Sequence, residues 1–134
     1  LVRSRGLGDV YKRQSWMTPA LFLSVAFIAG SVISFFTGSS WGTFAICIPI
    51  AVPMAYSFTG GQLGTLVYAA VGAVVSGGLF GDHCSPVSDT TVLSSLGAAC
   101  DHIDHVRTQL PYALLAAAVS IILWIVVALV GGAV

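Results

Sequence analysis

The sequence predicts an all-α integral membrane protein of about four transmembrane or broken helices, and three observations predict it. The chain is 57% hydrophobic and 7% charged, whereas an ordinary soluble domain carries roughly 25% charged residues. Its apolar residues gather into four runs that hold no charge. Those runs are parted by short breaks rich in Gly, Ser, Thr and Pro. Backbone inside a bilayer has to satisfy its own hydrogen bonds, so charge-free runs of this length are read as helices.

Residues 1–14 stand apart from the rest. Ser4 to Gln14, SRGLGDVYKRQ, reads as the codon-for-codon translation of a transposase sequencing adapter. The segment is therefore treated as an adapter-derived artefact, and residues 15–134 as a partial transmembrane domain. The alternative is a short basic arm on the cytosolic side of the first span. The formal net charge of the whole chain is +0, but Arg3, Arg5, Asp9, Lys12 and Arg13 all lie in this segment. Without them the charge is −3, carried by Asp82, Asp89, Asp101, Asp104 and Arg107. A net negative remainder with no lysine excludes a nucleic-acid footprint. Cys47, Cys84 and Cys100 are odd in number and form no C-x-x-C pair, so no disulfide framework is expected.

The first run spans about Thr18 to Phe36, nearly the length that crosses a bilayer core of about 30 Å. It ends at the polar stretch Thr37-Gly38-Ser39-Ser40-Trp41-Gly42-Thr43. The second, Phe44 to Phe58, holds Pro49 and Pro53 and is expected to be bent or incomplete, because proline removes a backbone donor. Thr59-Gly60-Gly61-Gln62 makes a turn. The third, about Leu63 to Phe80, is rich in Gly, Ala and Val, which lets membrane helices approach closely. After it comes a proline break at Pro86, then a short helix over Ser88 to Ala99 with Ser88 or Asp89 as N-cap. The last run, about Leu110 to Val130, takes Pro111 into its first turn.

The two polar breaks, after Phe36 and after Phe80, carry the chemistry. Irregular backbone at membrane depth is tolerated where protein buries it or where it lines a cavity. Ionisable groups there are costly and mark functional sites by default. Asp82 and Asp89 flank the second break, accompanied by Ser85, Ser88, Thr90 and Thr91. Hard cations such as Na⁺ prefer oxygen ligands. A carboxyl group drawn out of water holds a proton or a metal ion but not both comfortably, which is the least machinery that cation/proton exchange requires. The bland reading is that the aspartates cap helices at the interface. In the first break, Thr37, Ser39 and Ser40 offer hydroxyls, and an ordinary inter-helix turn explains them equally well.

His83 and Cys84 invite a transition-metal reading, but neither Asp-His-Cys nor His-x-x-His has a common zinc spacing. Asp101-His102-Ile103-Asp104-His105 repeats its aspartates and its histidines at i, i+3, so a pH-sensitive role is open. A solvated loop ending at Arg107 is the plainer expectation.

Taken together, Phe36 to Thr43, Gly81 to Thr91 and Asp101 to Tyr112 resemble the NhaC-type Na⁺/H⁺ antiporter family, in order and with sensible spacing across essentially all of residues 15–134. The resemblance implies a portion from the C-terminal half of a multi-pass, inner-membrane secondary transporter that exchanges Na⁺ for H⁺ by alternating access. It implies a transporter rather than an enzyme, with no cofactor. Its partners would be Na⁺, H⁺, the lipid bilayer and the N-terminal half of the same transporter. On this reading Asp82 and Asp89 are the competing proton and Na⁺ sites, and Ser85, Thr90, Thr37, Ser39 and Ser40 lend oxygens or shape the breaks. Asp101, His102, Asp104, His105 and Arg107 form a gate or pH-sensing loop. The family also includes members that couple Na⁺/H⁺ exchange to malate and lactate, so organic-anion exchange is the alternative within the class. A membrane metal-binding protein or metalloenzyme using His83, Cys84 and His102 is the alternative from another class.

Overall fold

The computed structural model describes residues 17–131; the segment 1–14 set apart above lies outside the described residues. Five helices follow one another: α1 (Pro19–Thr37), α2 (Ser40–Phe58), α3 (Thr65–Cys84), α4 (Asp89–Gly97) and α5 (His102–Gly131). All but α4 are long and apolar enough to cross a membrane. The expected all-α membrane class with four spans is borne out.

Local chemistry sets the ends. Thr18 caps α1 by accepting the Leu21 N–H at 3.3 Å, and Pro19 occupies the first turn, where its missing donor costs nothing. Gly38 ends α1 in the left-handed region, φ 66°, with its N–H donated to the Ser34 carbonyl at 2.8 Å. Ser39 then caps α2 through the Gly42 N–H at 3.3 Å. The first break is therefore only Gly38 and Ser39, with Ser40 to Thr43 forming the first turn of α2.

Three expectations are corrected. The second span is neither incomplete nor confined to Phe44–Phe58: α2 is helical from Ser40 and continues through Pro49 and Pro53. Each proline removes one donor, and the remaining helical bonds carry the chain past both. Gly81, Asp82, His83 and Cys84 are not loop but the last turn of α3, so the second break shrinks to Ser85–Ser88. The third correction concerns the polar stretch 101–107, which is the start of α5 and not a loop. Asp101 holds the Ile103 and Asp104 N–H groups through Oδ1 at 2.9 and 3.3 Å, as a capping aspartate does. Pro111 consequently lies in the interior of α5 and not in its first turn. A helix of 30 residues rises about 45 Å, more than the ~30 Å hydrocarbon core. Its charged first turns can thus stand outside the hydrocarbon while the rest spans it.

The packing centres on α1 against α3. Gly77 and Gly81 of α3 lie directly on α1, where a Cβ would run into the carbonyls of Phe27 and Ser31. From the other side, a Cβ on Gly30 would stand 3.1 Å from the Val74 carbonyl oxygen. Backbones that close allow the Ser34 hydroxyl of α1 to donate to the Gly78 carbonyl at 2.6 Å. Phe22, Leu23, Phe27, Val67, Ala70, Ala73 and Val74 fill the core below. Helix α5 leans on this pair through Trp124, whose indole N–H donates to the Ser76 hydroxyl at 3.2 Å.

Candidate functional site

The contact between α1 and α3 brings the two polar breaks together at one end of the bundle. A Cβ on Gly38 would stand 2.9 Å from the carbonyl carbon of Val87 and 3.1 Å from the Ser88 nitrogen. The α1–α2 junction and the α3–α4 link therefore touch backbone to backbone. Ser85 fastens them: its hydroxyl donates to the Phe35 carbonyl at 2.6 Å and accepts the Val87 N–H at 3.1 Å. Both contacts tie the proline-containing break to the end of α1.

Asp82 lies at the heart of this junction. It is 9% exposed, and its Oδ1 accepts the Ser88 hydroxyl at 2.7 Å. Ser88 is fully buried and stands 2.8 Å from the Thr90 hydroxyl. Among the described residues no lysine, arginine or histidine pairs with Asp82. Ser88 occupies the N-cap position of α4 with extended backbone, yet it makes no capping bond. Its side chain is given to Asp82 instead. The Thr91 hydroxyl donates to the His83 carbonyl at 3.3 Å, satisfying a carbonyl that the end of α3 leaves free.

The other expected residues separate into groups. Asp89 is exposed on the first turn of α4, with Oδ1 accepting the Thr90 N–H at 2.8 Å. It shares no hydrogen bond with Asp82. Thr37 and Ser39 spend their side chains on backbone: the Thr37 hydroxyl donates to the Ile33 carbonyl at 2.9 Å, and Ser39 caps α2. Ser40 is buried beside them, and Thr43, fully buried, donates to the Ser39 carbonyl. In the 101–107 stretch, His102 reaches back to the break. Its Nε2 lies 2.8 Å from the Pro86 carbonyl oxygen and its Nδ1 3.3 Å from the Ser95 hydroxyl. Asp101, Asp104 and Arg107 are exposed, and His105 is half-buried.

The metal reading of His83, Cys84 and His102 finds no assembled ligand set. His83 is exposed, the Cys84 thiol is turned to the Phe80 carbonyl, and His102 is bonded to Pro86. Among the described residues no three His, Cys, Asp or Glu side chains converge on one point. Ser88 is the residue whose role the sequence concealed. The sequence marks it as a helix cap, and only the folding of the proline break onto the last turn of α3 aims it at Asp82, six positions earlier.

The chain can now be set beside known proteins. It is 52% identical over 110 residues to an uncharacterized protein of Haemophilus influenzae, covering 81% of this chain and 20% of that protein. It is 35% identical over 123 residues to the malate-2H⁺/Na⁺-lactate antiporter of Bacillus subtilis, covering 92% and 25% of the two. The arginine/ornithine antiporter ArcD of Halobacterium salinarum is 33% identical over 120 residues, 90% of this chain and 24% of that one. The chain thus spans a quarter or less of the length of these relatives. No solved structure matches it. The model of the Na⁺/H⁺ antiporter family matches residues 12–129, a stretch that holds the first three membrane helices, all but the last two residues of the fourth, both breaks and Asp82, and the resemblance to NhaC-type antiporters is borne out. The chain is a multi-pass membrane segment and belongs to the Na⁺/H⁺ antiporter family.

Proposed function

We propose that this segment carries the coupling carboxylate of an inner-membrane transporter that exchanges Na⁺ for H⁺. One observation bears the weight: Asp82 is nine-tenths buried, and the one hydrogen bond to its carboxylate among the described residues comes from a neutral hydroxyl. An unpaired buried carboxylate is costly, and two neutralising partners are open to it, a proton or a cation. A group that accepts either, one at a time, exchanges one for the other whenever the site alternates between the two sides of the membrane. Asp89, exposed at the start of α4, serves as a second acidic group on the way to Asp82. Thr37, Ser39, Ser40 and Ser85 shape the two breaks around it. The polar start of α5, Asp101 to Arg107, acts as the gate or pH-sensing element, now as a helix end.

Exchange in everted vesicles tests the reading, with the full-length transporter that contains this segment and a dye reporting the pH gradient. Addition of Na⁺ dissipates the gradient in the wild type and leaves it intact in Asp82→Asn. The Asp89→Asn variant gives a weakened response, and the double variant gives none. Exchange retained in Asp82→Asn/Asp89→Asn defeats the assignment. The name of the Bacillus subtilis relative keeps Na⁺- and H⁺-coupled malate/lactate exchange as the second reading, which uptake of labelled malate would establish in its place.

A further inference from the structure

We infer that Ser88 and Thr90 form a hydroxyl relay that delivers the proton to Asp82; the inference rests on the reading of Asp82 given above. Three oxygens stand in a row. Asp82 Oδ1 is 2.7 Å from Ser88 Oγ, which is 2.8 Å from Thr90 Oγ1, both ordinary lengths for strong O–H···O bonds. The row runs from a buried carboxyl through a fully buried serine to an exposed threonine. A hydroxyl has one proton to give and lone pairs to receive. With Asp82 ionised, Ser88 must donate to Asp82, so Thr90 must donate to Ser88. Every proton in the row then points toward the carboxylate.

The transfer balances without any further reactant. A hydronium ion at the surface gives a proton to Thr90 Oγ1 as the Thr90 proton passes to Ser88 Oγ and the Ser88 proton passes to Asp82 Oδ1. Three O–H bonds break and three form, leaving one water and a neutral Asp82. The row now points outward, from Asp82 to Ser88 to Thr90. Running the same steps backward releases the proton and returns the row to its original order, with every proton again directed toward the ionised Asp82. The backbone favours this use. Ser88 sits where a serine normally caps a helix, φ −68° and ψ 136°, yet its side chain caps nothing. The capping bond of α4 is forgone and the side chain is held in the row.

Proteoliposomes containing the full-length transporter separate the relay from the site it serves. Radiolabelled Na⁺ uptake is measured in two modes, one driven by a proton gradient and one by exchange against internal Na⁺ without net proton movement. Ser88→Ala is expected to slow the proton-driven mode by about a hundredfold or more, the scale at which a positioned proton-transfer group contributes, and to slow Na⁺/Na⁺ exchange much less. The exposed Thr90→Ala gives the same pattern more weakly. In the wild type, D₂O slows the proton-driven mode selectively, and this isotope effect disappears in Ser88→Ala. Equal loss in both modes for Ser88→Ala, together with no selective loss in Thr90→Ala, overturns the relay, as does wild-type behaviour of both variants. Proton-driven uptake that survives in Asp82→Asn, or a wild type that moves no Na⁺, defeats the underlying reading of Asp82 instead.

Discussion

Replacing Gly38 by alanine tests the junction on which the site depends. Two separate costs follow from the structure. Gly38 has φ 66°, and the left-handed region costs an L-residue roughly 1–2 kcal/mol. The new methyl would also stand 2.9, 3.0 and 3.1 Å from the Val87 carbonyl carbon, its oxygen and the Ser88 nitrogen. Those are backbone atoms of a link tied to α1 through Ser85, so they cannot swing aside as a flexible side chain would. Overpacking of this kind costs about 1–3 kcal/mol, for a total of roughly 2–5 kcal/mol. Gly60 supplies the control: it has the same φ of 66°, with nothing within 4 Å of its would-be Cβ. Gly60→Ala should therefore cost the backbone share alone, roughly 1–2 kcal/mol. Unfolding free energies of the full-length transporter in mixed micelles give both values, and their difference isolates the contact between the two breaks. If Gly60→Ala destabilises as much as Gly38→Ala, the breaks do not touch as described.

Three further outcomes follow from the packing around the site. Gly77→Ala drives a methyl into the Phe27 carbonyl and should cost at least about 1–3 kcal/mol by the same unfolding measurement; a neutral result contradicts the backbone contact of α1 with α3. Ser85→Ala removes the bond to the Phe35 carbonyl and strips the Val87 N–H of its acceptor, a loss of about 0.5–1.5 kcal/mol for each bond, whereas wild-type stability would show that Ser85 does not clamp the break. Asp101→Ala takes away the cap of α5 and should cost about 0.5–2 kcal/mol. Hydrogen exchange at Ile103 and Asp104 should rise with it, while Asp101→Asn retains most of the protection.

The spans were legible because the bilayer demands them: four charge-free runs predict four helices, and α1 begins and ends within a residue of the expected limits. The helix ends were not legible. Gly81 to Cys84 contains an aspartate and a histidine, which read as loop in a membrane chain, but their backbone continues α3 because Gly81 packs on Ser31 and Ser34. Asp101 to Arg107 read as a solvated loop for the same reason, yet Asp101 is a cap and the turns after it are helical. Proline misled in the opposite direction, since α2 passes through Pro49 and Pro53 without ending. At the site, composition pointed to Asp82 and Asp89 alike. Only tertiary contact separates them: the α1–α3 interface buries Asp82, and Asp89 is left exposed on the first turn of α4. The role of Ser88 depends on the path of the proline break, which no local pattern encodes.

Binding of Na⁺ to the full-length transporter by titration calorimetry, repeated over a series of pH values in the wild type and in Asp82→Asn, tests the shared carboxyl of Asp82 most directly. A cation and a proton competing for one group require that Na⁺ binding release a proton and weaken on acidification. The wild type should show both effects and Asp82→Asn neither. Na⁺ affinity that does not change with pH in the wild type, or proton-releasing Na⁺ binding that persists in Asp82→Asn, would contradict the account.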